Sequence, residues 1–456
     1  MKLVFSTSIC YFIFCGIISS QNPQRKIICY FTRPVDTIVS SGVNAIYLNN
    51  SSDDTLVQYI NRAQESIDIA IYNTTNSGSV ANIAGALNTA YANGIKIRVI
   101  YDGSVGNTMI PNLDTNIKRV ASPQGGPFNI MHNKFVVFDA DALNPDLPIV
   151  WSGSMNWTTS QINGTDANNI IIIQDQTLAQ AYKTEFEEMW GSTTLIPNPG
   201  IARFGSQKLN NTQHIFSIGG NIVECYFSPS DSVNSEIISA INSANTDIEF
   251  ASMVITRNDV ANAITTKVGA GVLSTYGLTD DSVLTSQWTL LKNGMLPNTM
   301  KSHTGQFGIM HNKFLIVDES NISSDPLVLT GSHNWSTSAN AQNDENTLII
   351  HDDTIANQYF QAFSYLFAQD GGMMNIYENA FENWAFVYPN PIREIVNINL
   401  DVNGEMKIYN LLGESVGTWQ LAIGKNEIDL KNLPSGVYFL VLLTENGGET
   451  KKIVKQ

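Results

Sequence analysis

The chain has 456 residues, 43% of them hydrophobic, which is too long for one ordinary domain and apolar enough for real cores, so a globular protein of more than one unit is predicted. Its formal net charge is −16, and residues 21–380 alone hold 17 Lys+Arg against 32 Asp+Glu. Non-specific nucleic-acid binding depends on basic side chains that replace counterions along the phosphate backbone; the acidity disfavours such a partner without removing a local basic groove.

In chain order, residues 1–20 come first. Met1-Lys2, the apolar run from Ile9 to Ile18 and the small pair Ser19-Ser20 have the pattern of a signal peptide. Cys15-Gly16 lacks small residues ahead of it, since Phe12-Ile13-Phe14 stand there, so lipidation is not expected. No later stretch reaches the roughly 18 apolar residues of a membrane span, and none is expected in the mature chain. Two cysteines then remain, Cys29 and Cys225. Both sit on strand-like runs where a buried thiol is the expected role; a bridge between them would rest on geometry, and neither has metal-site spacing.

Residues 21–190 alternate strand and helix: a strand over Ile27–Thr32, a helix over Leu56–Glu65, a strand over Ile67–Tyr72, a helix over Val80–Ala92 closed by Asn93-Gly94, and a buried strand over Ile95–Tyr101. Then comes His132-Asn133-Lys134, an apolar run Phe135–Phe138 and Asp139, followed by Gly153-Ser154-Met155-Asn156-Trp157. On an extended backbone His132 and Lys134, two apart, point the same way. The strand Ile149–Ser152 carries Ser154 and Asn156 to the same rim.

Residues 191–220, with Pro197, Pro199 and Gly219-Gly220, read as a linker, and its His214 as a surface or hydrogen-bonding histidine. Residues 221–370 repeat the first pattern: Asn221–Phe227, Val233–Ala244 and Ile248–Ile255, a less regular stretch from Gly269 to Thr304, then His311-Asn312-Lys313 with Asp318 and Gly331-Ser332-His333-Asn334-Trp335. His132 to His311 spans 179 positions and Ser154 to Ser332 spans 178, so two copies of one domain are in register to within a residue. Residues 371–385 form a second linker. From 386 to 456 short strand runs (Ile395–Leu400, Glu405–Tyr409, Asn426–Leu430, Val437–Leu443, Thr450–Val454) are broken by turn residues, the rhythm of a small all-β sandwich. The predicted fold is therefore two duplicated α/β sandwich domains with mixed central sheets, joined as one pseudo-two-fold catalytic unit, plus that C-terminal sandwich.

The paired motifs resemble the phospholipase D superfamily, whose members carry H-x-K-x4-D followed by G-S-x-N; the resemblance covers Lys26 to Asp370. The chain departs from it in spacing, with 13 residues between Asp139 and Gly153 and 12 between Asp318 and Gly331, longer than the family's usual interval; loop growth there costs little entropy. The tail resembles a type IX secretion sorting domain, through Tyr388-Pro389-Asn390-Pro391, Lys407-Ile408-Tyr409-Asn410-Leu411-Leu412-Gly413, Leu433-Pro434-Ser435-Gly436-Val437-Tyr438 and Lys451-Lys452-Ile453-Val454. That implies a secreted or cell-surface protein that engages secretion machinery through this domain.

The resemblance implies metal-independent, cofactor-free phosphodiester cleavage by a monomeric catalytic unit, with His132 as nucleophile and His311 as acid and base. Sequence symmetry alone does not choose between the two. Lys134 and Lys313 supply charge, and Ser154, Asn156, Ser332 and Asn334 donate hydrogen bonds where negative charge grows. Asp139 and Asp318, each past an apolar strand, read as structural groups that bond backbone. Glu345 fits the family's second acidic position, which orients a histidine; in copy one Ala167 aligns with it, flanked by Asp166 as the candidate substitute. The leading expectation is hydrolysis of phospholipid head groups, with transfer to alcohols as a variant of it. A nuclease of the same mechanism and an inactive surface binding protein are the alternatives.

Overall fold

The computed structural model of the chain describes residues 26–125, 128–280, 284–374, 385–400, 402–411, 413–444 and 447–456. The expected signal peptide lies outside these residues, as does most of the expected linker 371–385. The chain forms two compact units, Met1–Asn375 and Ile376–Gln456.

In the first unit, repeat one runs β1 (Ile27–Phe31), β2 (Ile46–Tyr47), α1 (Ser52–Arg62), β3 (Ser66–Ile71), α2 (Ser79–Ala92), β4 (Lys96–Tyr101), β5 (Lys118–Ala121), β6 (Lys134–Phe138), β7 (Ile149–Gly153), β8 (Asn169–Ile173) and α3 (Gln176–Trp190). Repeat two runs β9 (Ile215–Ile218), β10 (Asn221–Ser228), α4 (Val233–Ser243), β11 (Asp247–Ser252), α5 (Asn258–Gly269), β12 (Ser274–Asp280), α6 (Ser286–Gly294), β13 (Met300–His303), β14 (Lys313–Val317), β15 (Leu327–Gly331), α7 (Thr337–Ala341), β16 (Glu345–His351) and α8 (Asp353–Gln369). The sheets are ordered β2-β1-β8-β7-β6-β3-β4-β5 and β13-β12-β11-β14-β15-β16-β10-β9. Apart from the edge strands β2 and β9, one order is the reverse image of the other, as a duplication requires. Both sheets are mixed: β3-β4-β5 and β11-β12-β13 are parallel, and the His-Lys strands β6 and β14 are antiparallel to their neighbours.

Every residue of β6, β7, β14 and β15 is buried, because helices cover both sheet faces. Helices α3 and α8 share one core with the inner faces of both sheets, in which Phe135, Tyr182 and Phe186 of repeat one meet Phe227, Phe314, Tyr359 and Phe363 of repeat two. The outer faces pack separately, against α1 and α2 and against α4 and α5. The long Asp139–Gly153 and Asp318–Gly331 intervals are hairpin loops between β6 and β7 and between β14 and β15. Cys29 and Cys225 are buried thiols on equivalent strands, not a bridge; Cys29 Sγ donates to Gln358 Oε1 at 3.2 Å.

The segment expected as a linker, 191–220, is structured. Ile215–Ile218 alternates exposed and buried and pairs with β10 through the Gly219-Gly220 turn. Lys208 from the same segment is buried against Glu185 and lies 3.7 Å from Asp344. His214 bonds Cys225 O and Asn210 Oδ1, each at 2.9 Å, and stacks on Tyr226. Among the described residues no helix is long and apolar enough to cross a membrane.

The second unit pairs β17 (Ala385–Tyr388), β18 (Ile395–Leu400) and β21 (Gly424–Asp429) in one sheet, and β20 (Ser415–Leu421), β19 (Gly404–Tyr409), β22 (Gly436–Thr444) and β23 (Gly447–Lys455) in another. Ile398, Met406, Ile408, Leu440 and Ile453 lie in its core.

The Gly-Ser corners that end β7 and β15 need glycine. Gly153 has φ +137° and Gly331 φ +148°, and a Cβ on them would meet Asn169 O at 2.3 Å and Asn346 O at 2.2 Å. Gly153→Ala and Gly331→Ala are each expected to cost about 1–3 kcal/mol of stability, read as a lower denaturation midpoint; an unchanged midpoint contradicts this.

Candidate active site

His132 and His311 stand two residues before the first residues of β6 and β14, where the sheets end at the interface between repeats. Each loop is tied to the opposite repeat. His132 N donates to Asp344 O and His311 N to Ala167 O, both at 2.9 Å, with isolated bridges Met131 to Asp344 and Ala167 to Met310. This pairing fixes which residues correspond across the duplication. Asp344 matches Ala167, so the partner of Glu345 is Asn168, not Ala167.

The side chains follow the same exchange. His132 Nδ1 lies 2.6 Å from Glu345 Oε2 of repeat two, and His311 Nδ1 lies 2.9 Å from Asn168 Oδ1 of repeat one. Asp166, the expected substitute, does not take that place: its Oδ1 accepts Ile309 N at 2.9 Å and so holds the loop ahead of His311. The correction has a simple cause. Ten residues separate Trp157 from Asn168 but nine separate Trp335 from Glu345, and a one-residue surplus in a loop is invisible to motif counting.

Lys134 and Lys313 are buried, and each Nζ donates to the carbonyl of its own motif histidine at 2.6 Å. Neither pairs with a carboxylate among the described residues. Lys134 sits 5.0 Å from the Tyr72 ring centroid, while Lys313 lies 3.8 Å from Met253 Sδ, so one side of the site is aromatic and the other a thioether. The Tyr72 ring also meets His132 edge-on at 4.8 Å.

Ser154 and Ser332 accept the backbone N–H groups of Asn169 and Asn346, both at 3.1 Å, and Ser154 donates to Asn168 Oδ1 at 3.2 Å. These hydroxyls brace the strands that deliver the histidine partners. The carboxamide oxygens of Asn156 and Asn334 are buried with no partner among the described residues, a state that calls for an explanation. Asp139 accepts from Gln64 N, Glu65 N and Ser66 N at 2.7–3.1 Å, and Asp318 from Asn245 N, Thr246 N and Asp247 N at 2.8–3.3 Å. They stand at the far ends of β6 and β14 from the histidines.

Three groups escape sequence reasoning. Asn169 Nδ2 reaches Thr330 Oγ1 at 2.6 Å and Tyr359 OH at 3.0 Å. Asn346 Oδ1 mirrors it, accepting from Ser152 Oγ at 2.6 Å and Tyr182 OH at 3.2 Å. His333, where repeat one has Met155, is buried with no side-chain partner for its ring among the described residues, and burial pulls it down to about 4. The doublets Asn168-Asn169 and Glu345-Asn346, each leading into an apolar strand, were the available signal. Trp157 and Trp335 are buried in the two outer cores rather than at the rim.

Residues 56–190 and 237–367 match the family model described as the PLD-like domain of cardiolipin synthase. The chain belongs to the phospholipase D-like family. Residues 386–456 match the secretion system C-terminal sorting domain, so the second unit is a sorting domain. The mitochondrial cardiolipin hydrolase of Drosophila melanogaster is 33% identical over 153 residues, covering 30% of this chain and 57% of that one. The phospholipase D of Rickettsia conorii is 30% identical over 135 residues, covering 28% and 58%. The chain thus spans a little over half the length of these curated relatives. A solved phosphatidylserine synthase of Haemophilus influenzae superposes over 74% of this chain and 86% of its own, with TM-score 0.50 and 12% identity, a likeness of fold.

Electrostatics distinguish the two histidines of this phospholipase D-like unit. Burial lowers His132, with Lys134 and Lys313 in the same sense, and Glu345 opposes them. Burial lowers His311 much further, joined by Lys313, Lys134 and His132, and no carboxylate opposes. Glu345 is held down to about 2, chiefly by His132 against its own burial. Burial also brings Lys313 down to about 7, against Glu345 and Asp280, so its ammonium gives up a proton readily near neutrality. A bound anion restores that charge, and binding must then take up protons. Titration with inorganic phosphate at pH 8, in buffers of different ionisation enthalpy, is expected to show net proton uptake at the site, smaller in Lys313→Met, where of Lys313 and His311 only His311 is left to take up a proton. Binding without uptake by the unmodified protein contradicts it.

Proposed function

We propose that this protein is an exported phosphodiesterase that hydrolyses phospholipid head-group esters through a phosphohistidine on His132. The observation that carries the reading is the crossed pair of contacts, a carboxylate behind His132 and a carboxamide behind His311. With Nδ1–H donated to Glu345, the Nε2 lone pair of His132 is free to attack, and the carboxylate stabilises the cation that forms as the P–N bond is made. Behind His311 stands only a neutral oxygen, so an imidazolium there gives up its proton readily, which suits the group that protonates the leaving alcohol. The bound phosphodiester anion offsets the two lysines and lets His311 start protonated.

In the first step Nε2 of His132 attacks phosphorus, the ester P–O bond breaks, and the His311 proton passes to the departing oxygen. In the second, water attacks, neutral His311 takes its proton, and the P–N bond breaks to return His132. Lys134 and Lys313, with the Asn156 and Asn334 carboxamides, would balance the charge on the non-bridging oxygens. No step needs a metal ion.

Two considerations favour lipid over nucleic acid: the acidity of the catalytic unit and the likeness to a cardiolipin hydrolase and a phospholipase D. The sorting domain supports export, with residues 1–20 as the leader and a secreted or cell-surface destination.

Purified protein should therefore release head group from phospholipid vesicles, and His132→Ala or His311→Ala should each lower the rate by at least about 10³-fold. EDTA should leave the rate unchanged. Single-stranded DNA and RNA, assayed beside the vesicles, should be cleaved far more slowly. Activity that survives either histidine substitution rejects the mechanism, and preferential nucleic-acid cleavage rejects the substrate.

A further inference from the structure

The rim on the His311 side carries a cation that the chemistry described so far does not use. Arg33 follows Thr32, and Thr32 is bound directly to the partner of His311: Thr32 N donates to Asn168 O at 3.0 Å, and Asn168 N donates to Thr32 Oγ1 at 2.8 Å. The Arg33 guanidinium lies 5.6 Å from the centroid of Phe307, four residues ahead of His311. The Phe307 ring also stacks on His303 at 3.8 Å, and His303 is held by Asp370 at 3.0 Å and by Gly308 O at 2.9 Å. The ring beside Arg33 is therefore held by a stacked histidine that is itself fixed by hydrogen bonds.

Arg33 itself is not neutralised. No carboxylate among the described residues pairs with it, its buried Nε has no hydrogen-bond partner, and the residue is half-buried. In a catalytic unit with nearly twice as many acids as bases, an arginine beside an aromatic ring with no carboxylate partner among the described residues is suited to receive an anion. Guanidinium groups suit this use, because the planar fork matches carboxylate and phosphate oxygens and stacks on aromatic faces. The feature is one-sided. Phe31 and Phe227 occupy equivalent positions in β1 and β10, so the place of Arg33 is taken in repeat two by Pro229.

We propose that Arg33, backed by Phe307, is a specificity residue that binds an anionic substituent on the leaving head group. The assignment rests on the reaction direction proposed above, in which the alcohol departs towards His311. It adds a substrate preference, for head groups that carry a carboxylate or a second phosphate over neutral or purely cationic ones.

Matched probes test it. O-phosphoserine and phosphoethanolamine differ by one carboxylate, as do phosphatidylserine and phosphatidylethanolamine. The full chain is expected to bind O-phosphoserine about tenfold more tightly by calorimetry, a preference erased in Arg33→Gln and partly kept in Arg33→Lys, which retains charge without the planar stack. In vesicle assays Arg33→Gln should raise KM for phosphatidylserine about tenfold, with kcat and phosphatidylethanolamine turnover nearly unchanged. Equal binding of the two monoesters, or equal losses on both lipids, overturns the subsite while leaving the proposed phosphodiesterase intact. If neither monoester binds and the vesicle assay shows no preference for phosphatidylserine, the subsite is overturned, while the phosphodiesterase reading stands or falls with the histidine variants. Unchanged thermal midpoints show whether the variants are folded, and the Arg33→Lys comparison serves if Arg33→Gln is not.

Discussion

The organisation of this protein depends on an exchange of hydrogen bonds across the interface between its two repeats. Each histidine is carried by one repeat and held by the other: backbone to backbone at Asp344 and Ala167, and ring to side chain at Glu345 and Asn168. Below these contacts Asn169 and Asn346 cross the interface in opposite directions to Thr330 and Ser152, each with a tyrosine hydroxyl at hand. A net contribution of about 1 kcal/mol per bond makes the set a modest source of stability. Its larger effect is on geometry, because a buried polar lattice of this kind tolerates few arrangements. A half-site alone would hold a histidine with no orienting partner and expose the apolar faces of α3 and α8.

Duplication supplied the symmetry, and drift has spent it where the chemistry is directional. The carboxylate survives behind His132 and has a carboxamide counterpart behind His311; Tyr72 faces one lysine and Met253 the other. The segment between the repeats contributes as well. Lys208 enters a buried site between Glu185 and Asp344, and burial raises both carboxylates, Asp344 to about 6 and Glu185 to about 8. Since Asp344 precedes Glu345 and its carbonyl receives His132 N, the segment helps fix the better-held half of the site. Two buried lysines at one interface, neither paired directly with a carboxylate among the described residues, are the cost of being ready for an anion, since burial penalises each charge.

Much of this was legible in the sequence, and the exceptions have physical reasons. The His-Lys pairs, the Gly-Ser corners and the core strands are local patterns, and the interval of 179 positions between His132 and His311 exposes the duplication directly. Asn168 was not legible, because one extra loop residue after Trp157 shifts the register and only strand pairing restores it. Helix α8 shows weak one-sided periodicity, since it buries Ile355, Asn357, Gln358, Tyr359, Gln361 and Phe363 around its circumference. Edge strand β20 exposes most of Ser415–Leu421 and so lacks a clean alternation. Arg33 and Phe307 lie 274 positions apart, and no local pattern joins them.

The central claim is that the crossed partners assign opposite roles to two nearly equivalent histidines. The most direct measurement is acid-quench trapping with a ³²P-labelled phosphodiester followed by peptide mapping, carried out on the unmodified protein and on Glu345→Gln. The account predicts label on the peptide containing His132 alone, with its formation slowed when the carboxylate becomes a carboxamide. Label on the peptide containing His311, or on both in comparable amounts, would contradict it.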